Sequence, residues 1–150
     1  MKNAVRILVA PWYLLGWLSH VYLALAMPEI YRGFGNTALI PGFRELWRTV
    51  VMPEIVFFAL ALAAFELVVG ILIIGKGTPV KYGLAASIFF NLFLVQLGLA
   101  GQTADWVSDL LVNRLPNLVF IAVQIPLLFC TFERSLFEVL AGKWKNRAIQ

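Results

Sequence analysis

Residues Ile55 to Ile74 read IVFFALALAAFELVVGILII, a run of twenty residues that is apolar throughout except for Glu66. A helix rising about 1.5 Å per residue would carry this run across roughly 30 Å, the hydrocarbon thickness of a bilayer. A carboxylate near the middle of lipid costs about 2.5–3.5 kcal/mol on insertion scales, so Glu66 is expected to be protonated, partnered, or facing a cavity within a bundle. Ala59, Ala63, Glu66 and Gly70 fall at helical spacings on one face. Small residues mark the side where membrane helices approach closely, which leaves Phe57, Phe58, Val68 and Leu72 to meet lipid or bulkier neighbours.

The composition places this run in a membrane protein. Of 150 residues, 61% are hydrophobic and 13% charged, and the mean hydropathy is +0.86; soluble domains hold about 45–50% apolar residues. A net charge of +4, dispersed along the chain, is no nucleic-acid footprint. Cys130 is the single cysteine and His20 the single histidine, which excludes an internal disulfide, a CxxC pair and a His-rich metal site. Gly75-Lys76-Gly77-Thr78 reads as a turn, and no phosphate-binding or dinucleotide motif is present.

Three further spans follow from the same reasoning. Residues 7–27 form the first, behind Lys2 and Arg6. A secretory signal is the rival reading, since Ala24-Leu25-Ala26 has the shape of a cleavage site, but the apolar run is long and carries Trp12, Tyr13, Trp17, His20 and Tyr22. Gly16, His20 and Ala24 stack at a spacing of four, with Tyr13 one turn below and Pro11 in the first turns. Residues 82–101 form the third span, with Gly83, Ser87, Asn91 and Gly98 along one side and Gln96 and Gln102 near the far end. Residues 115–132 form the fourth, where Asn117, Gln124 and Thr131 repeat at seven and Pro126 is expected to kink the helix.

In the first connection, Phe43, Leu46, Trp47 and Val50 recur at helical spacing opposite Arg44, Glu45 and Arg48, between Pro41-Gly42 and Pro53. This predicts a short interfacial amphipathic helix with Trp47 as anchor, or a cap on the bundle. The tail, 133–150, sets Leu136, Phe137, Leu140 and Trp144 against Lys143, Lys145 and Arg147, the pattern of a basic helix on an anionic leaflet. The expected fold is therefore an all-α membrane protein: one domain, 1–150, forming a four-transmembrane-helix bundle with a short interfacial amphipathic helix between helices 1 and 2. Lys2, Arg6, Lys76, Lys81, Arg134, Lys143, Lys145 and Arg147 fall on one side; Arg32, Arg44, Arg48 and Arg114 fall on the other. The positive-inside rule then puts both termini in the cytoplasm.

His20, Glu66, Asn91 and Gln124, one from each span, fall near the mid-plane on the small or polar faces of their helices. They are the candidate ligand-binding polar core, and Gly16, Ala63, Gly70 and Ser87 are the candidate packing positions. An active or ligand-binding site and a structural network that fixes helix register account for this pattern equally well.

The second span, Phe65-Glu66-Leu67-Val68-Val69-Gly70-Ile71-Leu72-Ile73-Ile74-Gly75, sits among four short spans with a long first connection, a brief second loop and an aliphatic third span. In this it resembles the DoxX-like membrane proteins, whose Glu, following Gly and further Gly at the cytoplasmic end match Glu66, Gly70 and Gly75. The resemblance implies a four-helix bundle associated with quinone-linked or thiol-linked membrane oxidoreductase systems, often as a small non-catalytic subunit. Related proteins act in cargo handling or receptor assembly. With one cysteine, direct thiol chemistry of the vitamin K epoxide reductase kind is not carried over. The first reading is thus a small inner-membrane protein, with no cofactor within the chain, whose polar core binds a quinone or other lipophilic molecule or supports a redox partner. The second is a non-enzymatic assembly or scaffolding subunit, and the third an isomerase using Glu66 and His20 as acid and base. The expected partners are the lipid bilayer, a membrane or soluble redox protein, or a second copy of the chain, and no nucleic acid.

Overall fold

Four helices long and apolar enough to cross a bilayer follow one another up and down, and this is a small integral membrane protein. The computed structural model describes residues 2–98 and 103–147, with backbone alone for 143–147. Within those residues there is no strand. The expected end of the third span at 99–101, the position of Gln102, and the side chains of Lys143, Trp144, Lys145 and Arg147 lie outside the described residues.

Helix α1 (Lys2–Ala26) begins before the apolar run, so that Pro11 stands well inside it and the helix continues past it unbroken. A 3-10 turn (Pro28–Gly33) follows. The expected lateral helix is present as α2 (Phe43–Leu46), but it does not stop at Pro53. A π turn (Trp47–Val51) and a 3-10 turn (Met52–Glu54) carry it into α3 (Ile55–Ile74), making one helical stretch, Phe43–Ile74. Pro53 stands in the 3-10 turn just ahead of α3, at a change of helix type and not inside an α-helical segment. Trp47 is buried and no lipid-facing anchor: its indole N–H donates to the backbone carbonyl of Tyr31 at 2.9 Å, so the segment caps the bundle. Arg44 and Arg48 stay on the surface, with Arg48 paired to Glu45.

Helix α4 (Thr78–Leu97) ends at Gly98, whose φ of +75° lies in the left-handed region that favours glycine. The fourth span starts earlier than the hydropathy run. A turn of α5 (Trp106–Asp109), N-capped by Asp105, passes through a π turn (Leu110–Arg114) into α6 (Leu115–Gln124). Pro126 then tightens the chain into a 3-10 turn (Ile125–Phe129), where the span ends; Thr131 lies beyond it and is exposed, not inward. Helix α7 (Leu136–Arg147) closes the described chain.

Helix α1 lies closely along α3, α3 packs on α4, and α4 on α6. The main core joins Val9, Ala10 and Tyr13 of α1 to Val69 and Ile73 of α3, and Val80, Leu84 and Phe90 of α4. The small face of α3 is inward: Ala59, Ala63, Glu66 and Gly70 are buried, while Phe57, Phe58 and Val68 are exposed. A β-carbon on Gly70 would stand 2.8 Å from the Leu14 side chain and 3.1 Å from its backbone nitrogen, so the α1–α3 approach requires glycine there.

Each end of the bundle is tied by a buried arginine. Arg6 donates to the carbonyls of Ile73 (2.9 and 3.0 Å) and Gly75 (2.6 Å), which α3 leaves free at its C-terminus, and its guanidinium lies over the Phe132 ring. At the other end Arg114 donates to the carbonyls of Val95 and Gln96 at the C-terminus of α4, to that of Thr37, and to Asp109 at 2.9 Å. Lys2, the α3–α4 turn and the segment after the fourth span share the Arg6 end, where Lys2 donates to the Thr131 carbonyl and Gly77 N–H to that of Phe132.

Candidate functional site

The four polar residues of the span interiors separate into two groups and a singleton. His20 and Glu66 meet: the imidazole Nε2 lies 3.6 Å from Glu66 Oε1, and its Nδ1 lies 2.7 Å from the hydroxyl of Tyr31. Asn91 belongs to a different cluster, in which its amide and the Ser87 hydroxyl both donate to the Tyr13 hydroxyl, at 2.9 and 2.7 Å. Gln124 is wholly buried, and its amide N–H donates to the carbonyl of Phe120 one turn back in its own helix. Among the described residues Gln124 Oε1 has no hydrogen-bond partner, and neither Asn91 nor Gln124 hydrogen-bonds to Glu66.

Helix geometry explains the His20–Glu66 meeting. Gly16 and His20 are one turn apart on the face of α1 that lies against α3, and Glu66 comes from the small face of α3. A β-carbon at Gly16 would stand 2.8 Å from Glu66 Oε2, so the glycine leaves the room that the carboxyl occupies. Glu66 is 3% exposed, and Oε2 has no hydrogen-bond partner among the described residues. A buried polar oxygen without a partner is costly, by about 1–3 kcal/mol, and calls for a ligand or a water.

Glu66 borders an open groove. Leu8, Trp12, Leu15, Gly16, His20 and Glu66 line a cavity of about 540 Å³ alongside α1, within the roughly 300–1,000 Å³ of small-molecule sites. Leu8, Trp12 and Leu15 are each more than 60% exposed on a helix of transmembrane length, so the groove faces the hydrocarbon of the bilayer. Pro11 also lines it, which puts the residue without a backbone N–H beside the gap. The site thus offers an apolar wall, one indole, and a carboxyl–imidazole pair reached from the side.

Tyr31 extends the pair. Its ring stacks on His20 with centroids 6.0 Å apart, its edge meets Phe34, and its backbone carbonyl is held by Trp47. Burial first, and the Glu66 charge second, push its phenol up to about 12, so the hydroxyl keeps its proton. Another cavity, of about 310 Å³ and apolar, is lined by Tyr31 with Trp47, Phe58, Phe90 and Phe93. Among the described residues no group of three or more His, Cys, Asp or Glu side chains could hold a metal ion.

No protein-family model matches the chain, and no curated protein or solved structure matches it either. Its site is therefore interpreted from its own chemistry.

Two groups escape a reading of spans by periodicity. Tyr31 lies in a connection, where neither a helical repeat nor an apolar run marks it, and its one signal is an aromatic hydroxyl eleven residues after the single histidine. Arg6 and Arg114 count as flanking charges in any topology argument, yet both are buried. The packing positions are placed as follows: Gly16 against Glu66, Gly70 against Leu14, Ala63 in the α3 interior, and Ser87 in the Tyr13 cluster.

Proposed function

We propose that this protein binds a lipophilic small molecule, of the quinone class, in the groove beside Glu66, as a DoxX-like subunit of a membrane oxidoreductase system. The observation that carries the reading is Glu66, a residue 3% exposed that lines a lipid-facing groove and whose buried Oε2 has no hydrogen-bond partner among the described residues. A molecule entering from the bilayer would lay its apolar ring or tail along Leu8, Trp12 and Leu15 and set one polar oxygen beside Gly16, toward the Glu66 carboxyl. A quinone or quinol has that shape: a flat apolar body with a hydrogen-bonding oxygen at its rim. The basic residues at the Arg6 end support an orientation with both termini in the cytoplasm of a bacterial cell, and a redox partner protein or second copy would meet the protein from there.

The test is extraction of bound lipophiles from protein purified in mild detergent, with mass spectrometry, set beside Gly16→Leu and Glu66→Leu. Quinone recovered with the wild type and lost from both variants is the expected result. Equal recovery from all three would overturn the reading.

A second reading, a scaffold whose polar residues only fix helix register, is favoured by the Tyr13–Ser87–Asn91 cluster. There the Tyr13 hydroxyl receives both donors and the residue is wholly buried, as a packing device requires. The two readings concern different residues and can be separated by substitution.

A further inference from the structure

His20 lies between the carboxyl in the groove and the hydroxyl of Tyr31, and which ring nitrogen carries its proton decides what Glu66 can do. We propose that Tyr31 is the positioning residue of this site: its hydroxyl donates to Nδ1 of His20, fixes the neutral imidazole as the Nε2–H tautomer, and directs that proton at Glu66 Oε1. Glu66 Oε2 is then the atom left to meet a ligand. The inference rests on the ligand reading for its purpose, although not for its geometry.

Hydrogen-bond accounting supports this direction. Tyr31 is 2% exposed, and among the described residues its hydroxyl has one hydrogen-bond partner, Nδ1 of His20 at 2.7 Å. If His20 donated to Tyr31, the phenolic proton would be buried with no acceptor, and the bare Nε2 would face a carboxyl oxygen, lone pair to lone pair. If Tyr31 donates, its phenolic proton has Nδ1 as acceptor and the Nε2–H lies on the side of Glu66 Oε1, 3.6 Å away. The phenol is held for the task by the Trp47 bond to its carbonyl, by the Phe34 edge and by the stack on the imidazole. The phenol's raised proton affinity acts in the same sense, since it keeps the donor protonated. The hydrogen bond to one ring nitrogen setting the role of the other is a general property of histidine.

Because the chain holds one histidine, ¹⁵N-histidine labelling reports this imidazole alone. Spectra of the full-length protein in nanodiscs, recorded well above the ordinary histidine range of about 6.5, should show a protonated nitrogen at Nε2 and a bare one at Nδ1. In Tyr31→Phe both resonances should move toward the averaged values of a tautomer mixture, and the affinity for decylubiquinone, added as probe, should fall about tenfold. Wild-type protein with the proton on Nδ1 or on both nitrogens would overturn the assignment, and so would a Tyr31→Phe spectrum unchanged from wild type. The wild-type spectrum decides the direction even if the variant fails to fold. An Nε2–H tautomer in a wild type that binds no decylubiquinone would keep the role of Tyr31 and overturn the ligand reading instead.

Discussion

Gly16 and Glu66 share one space: a β-carbon at position 16 would stand 2.8 Å from Oε2 of the carboxyl. The contact is with the far end of a side chain, which can swing. Gly16→Ala should therefore cost less than about 1 kcal/mol, whereas Gly16→Leu fills the gap and should cost about 1–3 kcal/mol, the range for overpacking, while closing the groove. Thermal unfolding in detergent checks the first figure and recovery of bound lipophile the second. A Gly16→Leu protein of wild-type stability that still carried its ligand would show that the gap is not the entrance.

Gly70 presents a harder wall. Its absent β-carbon would meet the backbone nitrogen of Leu14 at 3.1 Å as well as the Leu14 side chain, so α1 and α3 would have to part. Gly70→Ala should destabilise more than Gly16→Ala, by about 1–3 kcal/mol. The reverse ranking in the same melting assay would mean that the α1–α3 contact is looser than described.

Arg6 and Arg114 should behave as structural residues despite their charge. Arg6→Gln withdraws donors from the carbonyls of Ile73 and Gly75, at about 1–3 kcal/mol for each buried acceptor left orphaned. Arg6→Lys should recover part of this, because an ammonium replaces the planar fork with a single point of attachment. Arg114→Gln should loosen the opposite end, where Thr37, Val95 and Gln96 lose their common donor. Melting temperatures that stay at the wild-type value would show that water replaces the guanidinium at both ends.

Glu66→Gln keeps the shape of the side chain and a hydrogen-bonding head while removing the carboxyl. A purely structural pair with His20 should lose about 0.6 kcal/mol, the average for interhelical hydrogen bonds in membranes. If the carboxyl moves a proton for the oxidoreductase system, activity should fall by about 10²–10⁴-fold in a protein that still inserts and purifies. Complementation of a deletion strain, measured beside thermal stability for Glu66→Gln and His20→Gln, separates the two. Full complementation by both would favour the scaffold.

The cap makes a prediction about labelling. Trp47 points inward onto Tyr31 and Arg48 outward beside Glu45. With a membrane-impermeant thiol reagent, Arg48→Cys should react and Trp47→Cys should not. Equal reaction at both would make the segment an ordinary solvated loop.

Much of this architecture is legible in the chain because lipid imposes few solutions. Ile55–Ile74 is a helix in the sequence and in the structure alike, since no other form satisfies twenty backbone groups in hydrocarbon. The small face of α3 and the meeting of His20 with Glu66 are legible for the same reason: close approach needs glycine or alanine, and a membrane carboxyl needs company. The rest depends on tertiary neighbours. Asn91 and Gln124 sit at the right depth, but depth does not fix azimuth between helices, so Asn91 turns to Tyr13 and Gln124 to its own backbone. Trp47 has the look of an interfacial anchor, and its inward turn follows from a tertiary neighbour, the Tyr31 carbonyl that accepts its indole N–H.

The Arg6 contacts also set a timetable for biosynthesis. Its acceptor Ile73 lies 67 residues further along the chain, and its acceptor Arg134 lies 128 residues further. A nascent chain therefore inserts its first span with a guanidinium that has only Asn3 of its own helix to bind, gains the α3 carbonyls when the second span arrives, and completes the contact only after the fourth has left the ribosome. The earliest-made segment is fastened by the latest, so a chain stopped before residue 132 should be held as an unfinished client by the insertion machinery and cleared by membrane proteases.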